Sequence, residues 1–152
     1  MKIAIASDHG GWRLKNEMRD RLKAAGHEVM DLGGSEERSD YPSYGAAVGR
    51  AVASGDAERG VLVCGSGIGV CIAANKIPGV RAANINETTS ARLFREHNDG
   101  NVICLGERLV GPEMAWEIVN IFLATSHQGG RHAERVEMIR DLESQNHIQP
   151  IA

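Results

Sequence analysis

Residues 59–76, RGVLVCGSGIGVCIAANK, constrain the fold more than any other stretch of this chain. Val61, Leu62 and Val63 form a short apolar run, Cys64 ends it, and Gly65, Ser66, Gly67, Ile68 and Gly69 lead into a helix-forming segment through Lys76. A short β-branched run bounded by glycine reads as a buried strand, and the glycines as a tight turn into a helix. The glycines let the backbone turn its N–H groups toward one point. Helix start and unpaired amides together make that point favourable for negative charge. The thiol at the strand end, above this cradle, is the unusual feature. A cysteine beside a helix N-terminus is favoured as the reactive thiolate; a cysteine closing a buried strand also serves as a small core residue.

The other segments alternate in the same way. Met1–Ser7 (MKIAIAS) is a first strand with little polar interruption, as in strands buried on both faces of a parallel sheet. Trp12–Ala25 carries Trp12, Leu14, Met18, Leu22 and Ala25 at helical spacing, with Gly26 as its stop. Glu28–Leu32 is a second strand, Gly33–Asp40 a polar loop, and Pro42–Ser54 an alanine-rich helix ended by Gly55. Pro78-Gly79 stops the helix that follows Cys64; Val80–Ile85 is a fourth strand and Thr88–Glu96 a helix. His97–Asn101 is a polar turn, Val102–Leu105 a fifth strand and Glu113–Thr125 an apolar-faced helix. Gly129-Gly130 break the chain before a last helix at about Ala133–Ser144, and the tail His147–Ala152 is expected to fray or to dock on a partner. Strands alternating with helices predict an α/β fold, a three-layer αβα sandwich with a five-stranded parallel sheet (Rossmann-like), in one domain spanning 1–152.

Ligands of such folds bind beyond the carboxyl ends of the strands. Asp8 and His9 follow the first strand, Cys64 the third, Glu87 the fourth and Arg108 the fifth. A phosphate-binding P-loop would need Gly-Lys where Val70 and Cys71 stand, and a dinucleotide fingerprint would need a small residue at Val70. Glu87, near the position of a ribose-binding carboxylate, keeps a nucleotide-binding module as an alternative. Net charge of −3 implies no general attraction to nucleic acid or acidic membranes, and 4% aromatics argue against a base-stacking platform. The 3 cysteines, Cys64, Cys71 and Cys104, form no C-x-x-C pair, so zinc and thioredoxin-type readings lack support. Their odd number and the lack of a signal segment lead us to expect a cytoplasmic protein. No apolar run approaches a bilayer span.

Single residues allow two readings each. Asp8 is a helix cap or an acid/base group, and His97-Asn98 a polar helix end or part of a site. Arg131, His132 and Arg135 share a helix face, either solvated or clamping a phosphate. Cys71 and Cys104 read as core residues. Carboxylates and histidines do not cluster at metal-ligand spacing, so neither metal nor cofactor is expected.

Six motifs, in order along the chain, carry a resemblance. They are SDHGG at 7–11, DYP at 40–42, VCGSGIG at 63–69 with IAANK at 72–76, REHND at 95–99, LGERLVG at 105–111, and GGRHAERV at 129–136. Through them the chain resembles the ribose-5-phosphate isomerase B family, which also contains galactose-6-phosphate and allose-6-phosphate isomerases. The resemblance implies a metal-free aldose–ketose isomerase of a phosphorylated sugar, ribose 5-phosphate first, with other six-carbon or four-carbon sugar phosphates as alternatives. It implies that Cys64 is the base moving a proton between C1 and C2, and that Ser66 with the amides of Gly65, Gly67, Ile68 and Gly69 forms the anion hole. It implies that His97 opens the furanose ring, with Asp8 and Asn98 nearby, and that His9, Arg108, Arg131 and Arg135 contact substrate and phosphate. It further implies a homodimer, or a dimer of dimers, whose sites are shared between subunits, with residues from about 131 onward packing on the partner. Asn84–Thr89, NINETT, carries no reading.

Overall fold

A computed structural model describes residues 1–145. In chain order the elements are β1 (Lys2–Ser7), α1 (Trp12–Ala24), β2 (Glu28–Asp31), α2 (Tyr41–Ala53), β3 (Arg59–Cys64), α3 (Ile68–Ala74), β4 (Ala82–Asn84), α4 (Thr88–Asn98), β5 (Val102–Gly106), α5 (Pro112–Ala124) and α6 (Arg131–Ser144). The five strands form one all-parallel sheet in the order β2-β1-β3-β5-β4. This is the expected α/β architecture. The chain leaves β1 toward β2 on one side, then crosses to β3 on the other, so the sheet order reverses between β1 and β3. A crevice opens at such a switch point.

Strand alternation divides the interior into two apolar layers. Ile3, Ile5, Val61, Val63, Ile103 and Leu105 face α1, α4 and α5, where they meet Leu14, Met18, Phe94, Ile118 and Phe122. Ala4, Ala6, Leu62, Cys64, Val102 and Cys104 face α2 and α3, where Val48, Val70 and Ala74 cover them. Cys64 therefore turns its sulfur toward the helix that its own glycine loop begins.

Several boundaries differ from the sequence expectation. α3 ends at Ala74, two residues before Lys76, and starts at Ile68, so Gly69 lies inside the helix. β4 shrinks to Ala82–Asn84. α4 runs on to Asn98, so His97 and Asn98 are its last turn and not part of a connecting turn. The chain reverses only at Asp99, whose φ of 45° is left-handed. α6 starts at Arg131 and packs against α4 through the buried His132 and Val136, leaving Met138, Ile139 and Leu142 exposed. The tail His147–Ala152, expected to fray or dock, lies outside the described residues.

Candidate active site

Three loops meet at the carboxyl ends of β1, β3 and β5. The loop after β1 lies directly on the end of β3: a Cβ on Gly11 would stand 2.6 Å from the Val63 carbonyl carbon. Within it the Gly10 N–H donates to Asp8 Oδ1 at 2.9 Å. The loop after β5 continues the sheet pairing, with Glu107 N–H donating to the Cys64 carbonyl at 2.9 Å and Arg108 N–H to the Gly65 carbonyl at 3.1 Å. The Glu107 carboxylate then reaches the start of α1 and accepts from Leu14 N–H at 3.0 Å. The first residues of α1 contribute no side-chain cap, so this distant carboxylate satisfies one of the helix's free amides.

The Cys64 sulfur sits at the centre of this arrangement. It is 5% exposed and accepts from the Gly67 N–H at 3.0 Å. Gly67 has φ 78°, and a Cβ there would stand 2.0 Å from Asn84 Nδ2, so both backbone and neighbour require glycine. Ser66 Oγ accepts from Ile68 N–H at 3.3 Å. The cleft above has a volume of about 500 Å³, and Asp8, His9, Tyr41, Cys64, Ser66 and Arg108 are among its lining residues. Gly65, Ile68 and Gly69 line it too. Arg108 lies across Gly65, its guanidinium carbon 3.2 Å from where a Cβ would be. His9 Nδ1 is held by the Ser39 backbone, 3.1 Å from its carbonyl.

His97, Asn98, Arg131 and Arg135 do not join this cleft within one chain. The Arg81 guanidinium donates to the carbonyls of Asn98 and Asp99, at 3.1 and 3.0 Å, and Arg81 immediately precedes β4. The end of α4 thus lies at the amino ends of the strands. Between there and Cys64 lies the paired stretch from Val102 to Gly106, roughly 13 Å at the rise of a strand. Asp8, expected near His97, is at the opposite end of the sheet from it. His97 stacks on His132 of α6, ring centroids 4.2 Å apart and planes 6° from parallel. His132 does not share the outer face with Arg131 and Arg135: it is buried, while both arginines are exposed. Burial, with the charges of His97, Arg131, Arg135 and His127, holds the His132 imidazole below the usual histidine range.

Glu87 faces its own helix. Its carboxylate accepts from Thr89 N–H at 2.6 Å and Ser90 N–H at 2.5 Å, so it caps α4 and is unlike the ribose-binding carboxylate considered from sequence. Cys104 is fully buried and its thiol is pushed well up by burial; Cys71 is only half-buried, and its hydrogen bond with Cys104 pulls it down. Among the described residues no group of three or more His, Cys, Asp or Glu side chains is placed to hold a metal ion.

Two residues at the site escaped the sequence reading. Tyr41, from the DYP motif, lays its ring against Gly69, 2.7 Å from where a Cβ would stand. Asn84 donates to the Ser66 carbonyl at 3.1 Å and to the Cys104 carbonyl at 3.3 Å. Nothing local marks an asparagine that acts on a loop 18 positions earlier in the chain.

A family model described as Ribose/Galactose Isomerase matches residues 3–139. Among curated proteins the chain is 48% identical to ribose-5-phosphate isomerase B of Escherichia coli, over 93% of this chain and 96% of that one. It is 40% identical to D-erythrulose-4-phosphate isomerase of Pectobacterium atrosepticum, over 98% and 99%. Among solved structures, ribose-5-phosphate isomerase B of Clostridium thermocellum superposes with a TM-score of 0.95 at 50% identity, covering 96% of this chain and 99% of that one.

Proposed function

The chain belongs to the ribose/galactose isomerase family and is an isomerase, and from that premise we propose that it interconverts ribose 5-phosphate and ribulose 5-phosphate through an ene-diolate, with Cys64 as the base. The observation that carries this reading is the Cys64 sulfur, 3.0 Å from the Gly67 N–H, in the cleft it shares with Asp8, His9 and Arg108. The thiolate takes the proton from C2 of the open-chain aldose, the hydroxyl proton passes from O2 to O1, and the resulting thiol returns the carbon-bound proton to C1. Charge that develops on the enolate oxygen meets Ser66 and the backbone amides of Gly65 and Gly69, while the Ile68 N–H, donating to Ser66 Oγ at 3.3 Å, orients that hydroxyl. Asp8 and His9 hold the sugar hydroxyls, and Arg108 faces the anionic end of the substrate.

Ring opening and phosphate binding require groups that this chain holds elsewhere. We assign them to a second copy: His97 and Asn98 of one subunit serve the sugar over Cys64 of the other, and Arg131 and Arg135 clamp its phosphate. Arg131 and Arg135 lie one turn apart on the exposed face of α6, and among the described residues neither makes an ion pair. Tyr41, Ile68 and Ile72 line the cleft and are 44%, 53% and 57% exposed, apolar surface that a subunit docked there would cover.

The test is hydrogen exchange at C1 of ribulose 5-phosphate in D₂O. Cys64→Ala should lower it by roughly 10²–10⁴-fold with the fold unchanged; wild-type exchange would remove Cys64 as the base. The 40% identity to a four-carbon sugar-phosphate isomerase supports a second reading of the substrate. Comparing kcat/KM for ribose 5-phosphate, D-erythrulose 4-phosphate, galactose 6-phosphate and allose 6-phosphate decides between them. We expect the pentose to be preferred, and a higher value for any of the others would replace it.

A further inference from the structure

We infer that Asn84 is a positioning residue for Cys64, acting through the Ser66–Gly67 peptide; this rests on the reading of Cys64 as the base. The carbonyl of that peptide accepts from Asn84 Nδ2 at 3.1 Å, and its N–H donates to Cys64 Sγ at 3.0 Å. A trans peptide is planar with its C=O and N–H pointing in opposite directions, so holding one end aims the other. Glycine at 67 has few steric limits, and without a lock this peptide could rotate its N–H away from the sulfur.

The lock is closed on all sides. Both groups that Asn84 Nδ2 faces are carbonyls, of Ser66 and Cys104, so only the amide's donor end fits there. Its oxygen accepts from Asn86 Nδ2 at 3.3 Å, which fixes the same orientation. On the other side of the peptide, a Cβ on Gly106 would stand 2.6 Å from Ser66 C and O, so the strand end presses against it. The Cys104 carbonyl has a second donor in Ile85 N–H, whereas Asn84 is the side-chain donor to the Ser66 carbonyl. A hydrogen bond at the carbonyl also polarises the N–H of the same unit and strengthens its bond to a charged sulfur. Asn84 thus supports negative charge at Cys64 through the intervening peptide, without touching the sulfur or lining the cleft.

The experiment measures two properties of Asn84→Leu and Asn84→Ala separately. One is the rate at which iodoacetamide labels Cys64 at neutral pH, located by peptide mass spectrometry. The other is kcat and KM for ribose 5-phosphate across pH. Asn84→Leu keeps the branched shape and removes the amide's donor and acceptor; Asn84→Ala removes the branch as well, and thermal melts of both report folding. The expected result is labelling of Cys64 slower by about tenfold, the worth of one hydrogen bond to a charged group. With it, kcat should fall by a similar factor, KM should stay near wild type, and the rising limb of the pH–kcat/KM profile should move to higher pH. Unchanged labelling in both folded Asn84 variants would overturn the inference. Slower labelling with unchanged turnover would uphold the role of Asn84 and overturn Cys64 as the base.

Discussion

Gly67→Ala would place a Cβ 2.0 Å from Asn84 Nδ2 on a residue with φ 78°. The backbone term alone is about 1–2 kcal/mol, and the displaced peptide should withdraw the N–H from Cys64. Turnover should fall by far more than stability, read by kcat beside a thermal melt. Cys71→Ala and Cys104→Ala should keep activity, with Cys104→Ala losing stability because its side chain is fully buried. His97→Asn should impair the ribose 5-phosphate direction, where a ring must open, and spare C1 exchange in ribulose 5-phosphate, which cannot close a furanose through its phosphorylated O5. Loss of that exchange as complete as in Cys64→Ala would put His97 in the proton-transfer step instead. Cys64 was visible in the sequence because its cue is local: a strand, a thiol and a glycine loop in contiguous residues. Asn84 was not, because its partners come from the loop after β3 and from β5, and its own neighbourhood is an unremarkable polar stretch.

α4 and α6 together carry the groups that one chain keeps away from its own cleft. Polar and glycine residues at 97–101 read as a turn, yet the helix holds through Asn98 because its end is clamped. Arg95, almost fully buried, bonds Asp99, the Thr125 carbonyl and the Gly100 carbonyl, and Arg81 grips Asp99 from just before β4. Such long-range pairing is invisible in a local pattern, which is why the strands and core faces were legible and this helix end was not. Burial alone would raise the Asp99 carboxyl, but Arg95 and Arg81 outweigh it and hold it below the usual carboxylate range. Asp99→Ala should cost about 1–3 kcal/mol, seen as a lower denaturation midpoint. The His132 ring, like Asp99, contributes stability that is lost as pH falls, but over a range near its own higher reference value. Its folded-state value lies below the unfolded 6.5, so the unfolded chain binds the extra proton first. The contribution to stability is complete above 6.5 and falls as pH drops from there toward the folded value. Melts between neutral and mildly acidic pH should show this loss, and His132→Asn should flatten it; an unchanged slope in the variant would contradict the assignment.

At the scale of the whole molecule, the sheet separates two half-sites. Asp8, His9, Cys64, Ser66 and Arg108 gather at the carboxyl ends of the strands, and His97, Asn98, Arg131 and Arg135 lie on helices α4 and α6 away from that cleft. Periodicity and apolar runs located every strand and helix; of the residues expected at the carboxyl ends of the strands, Glu87 caps α4 instead, while His97, read as a turn residue, lies in the last turn of α4 at the amino ends. A homodimer that sets each group of residues against the other's complement is the assembly we propose to bring them together. The direct measurement mixes two inactive variants, Cys64→Ala and the double variant Arg131→Ala/Arg135→Ala, with subunit exchange followed by native mass spectrometry. In a mixed dimer one site carries both defects and the other carries neither. The account predicts that activity returns as heterodimer forms, to about half that of a wild-type dimer per heterodimer. Complete exchange with no recovered activity would contradict a site shared between subunits.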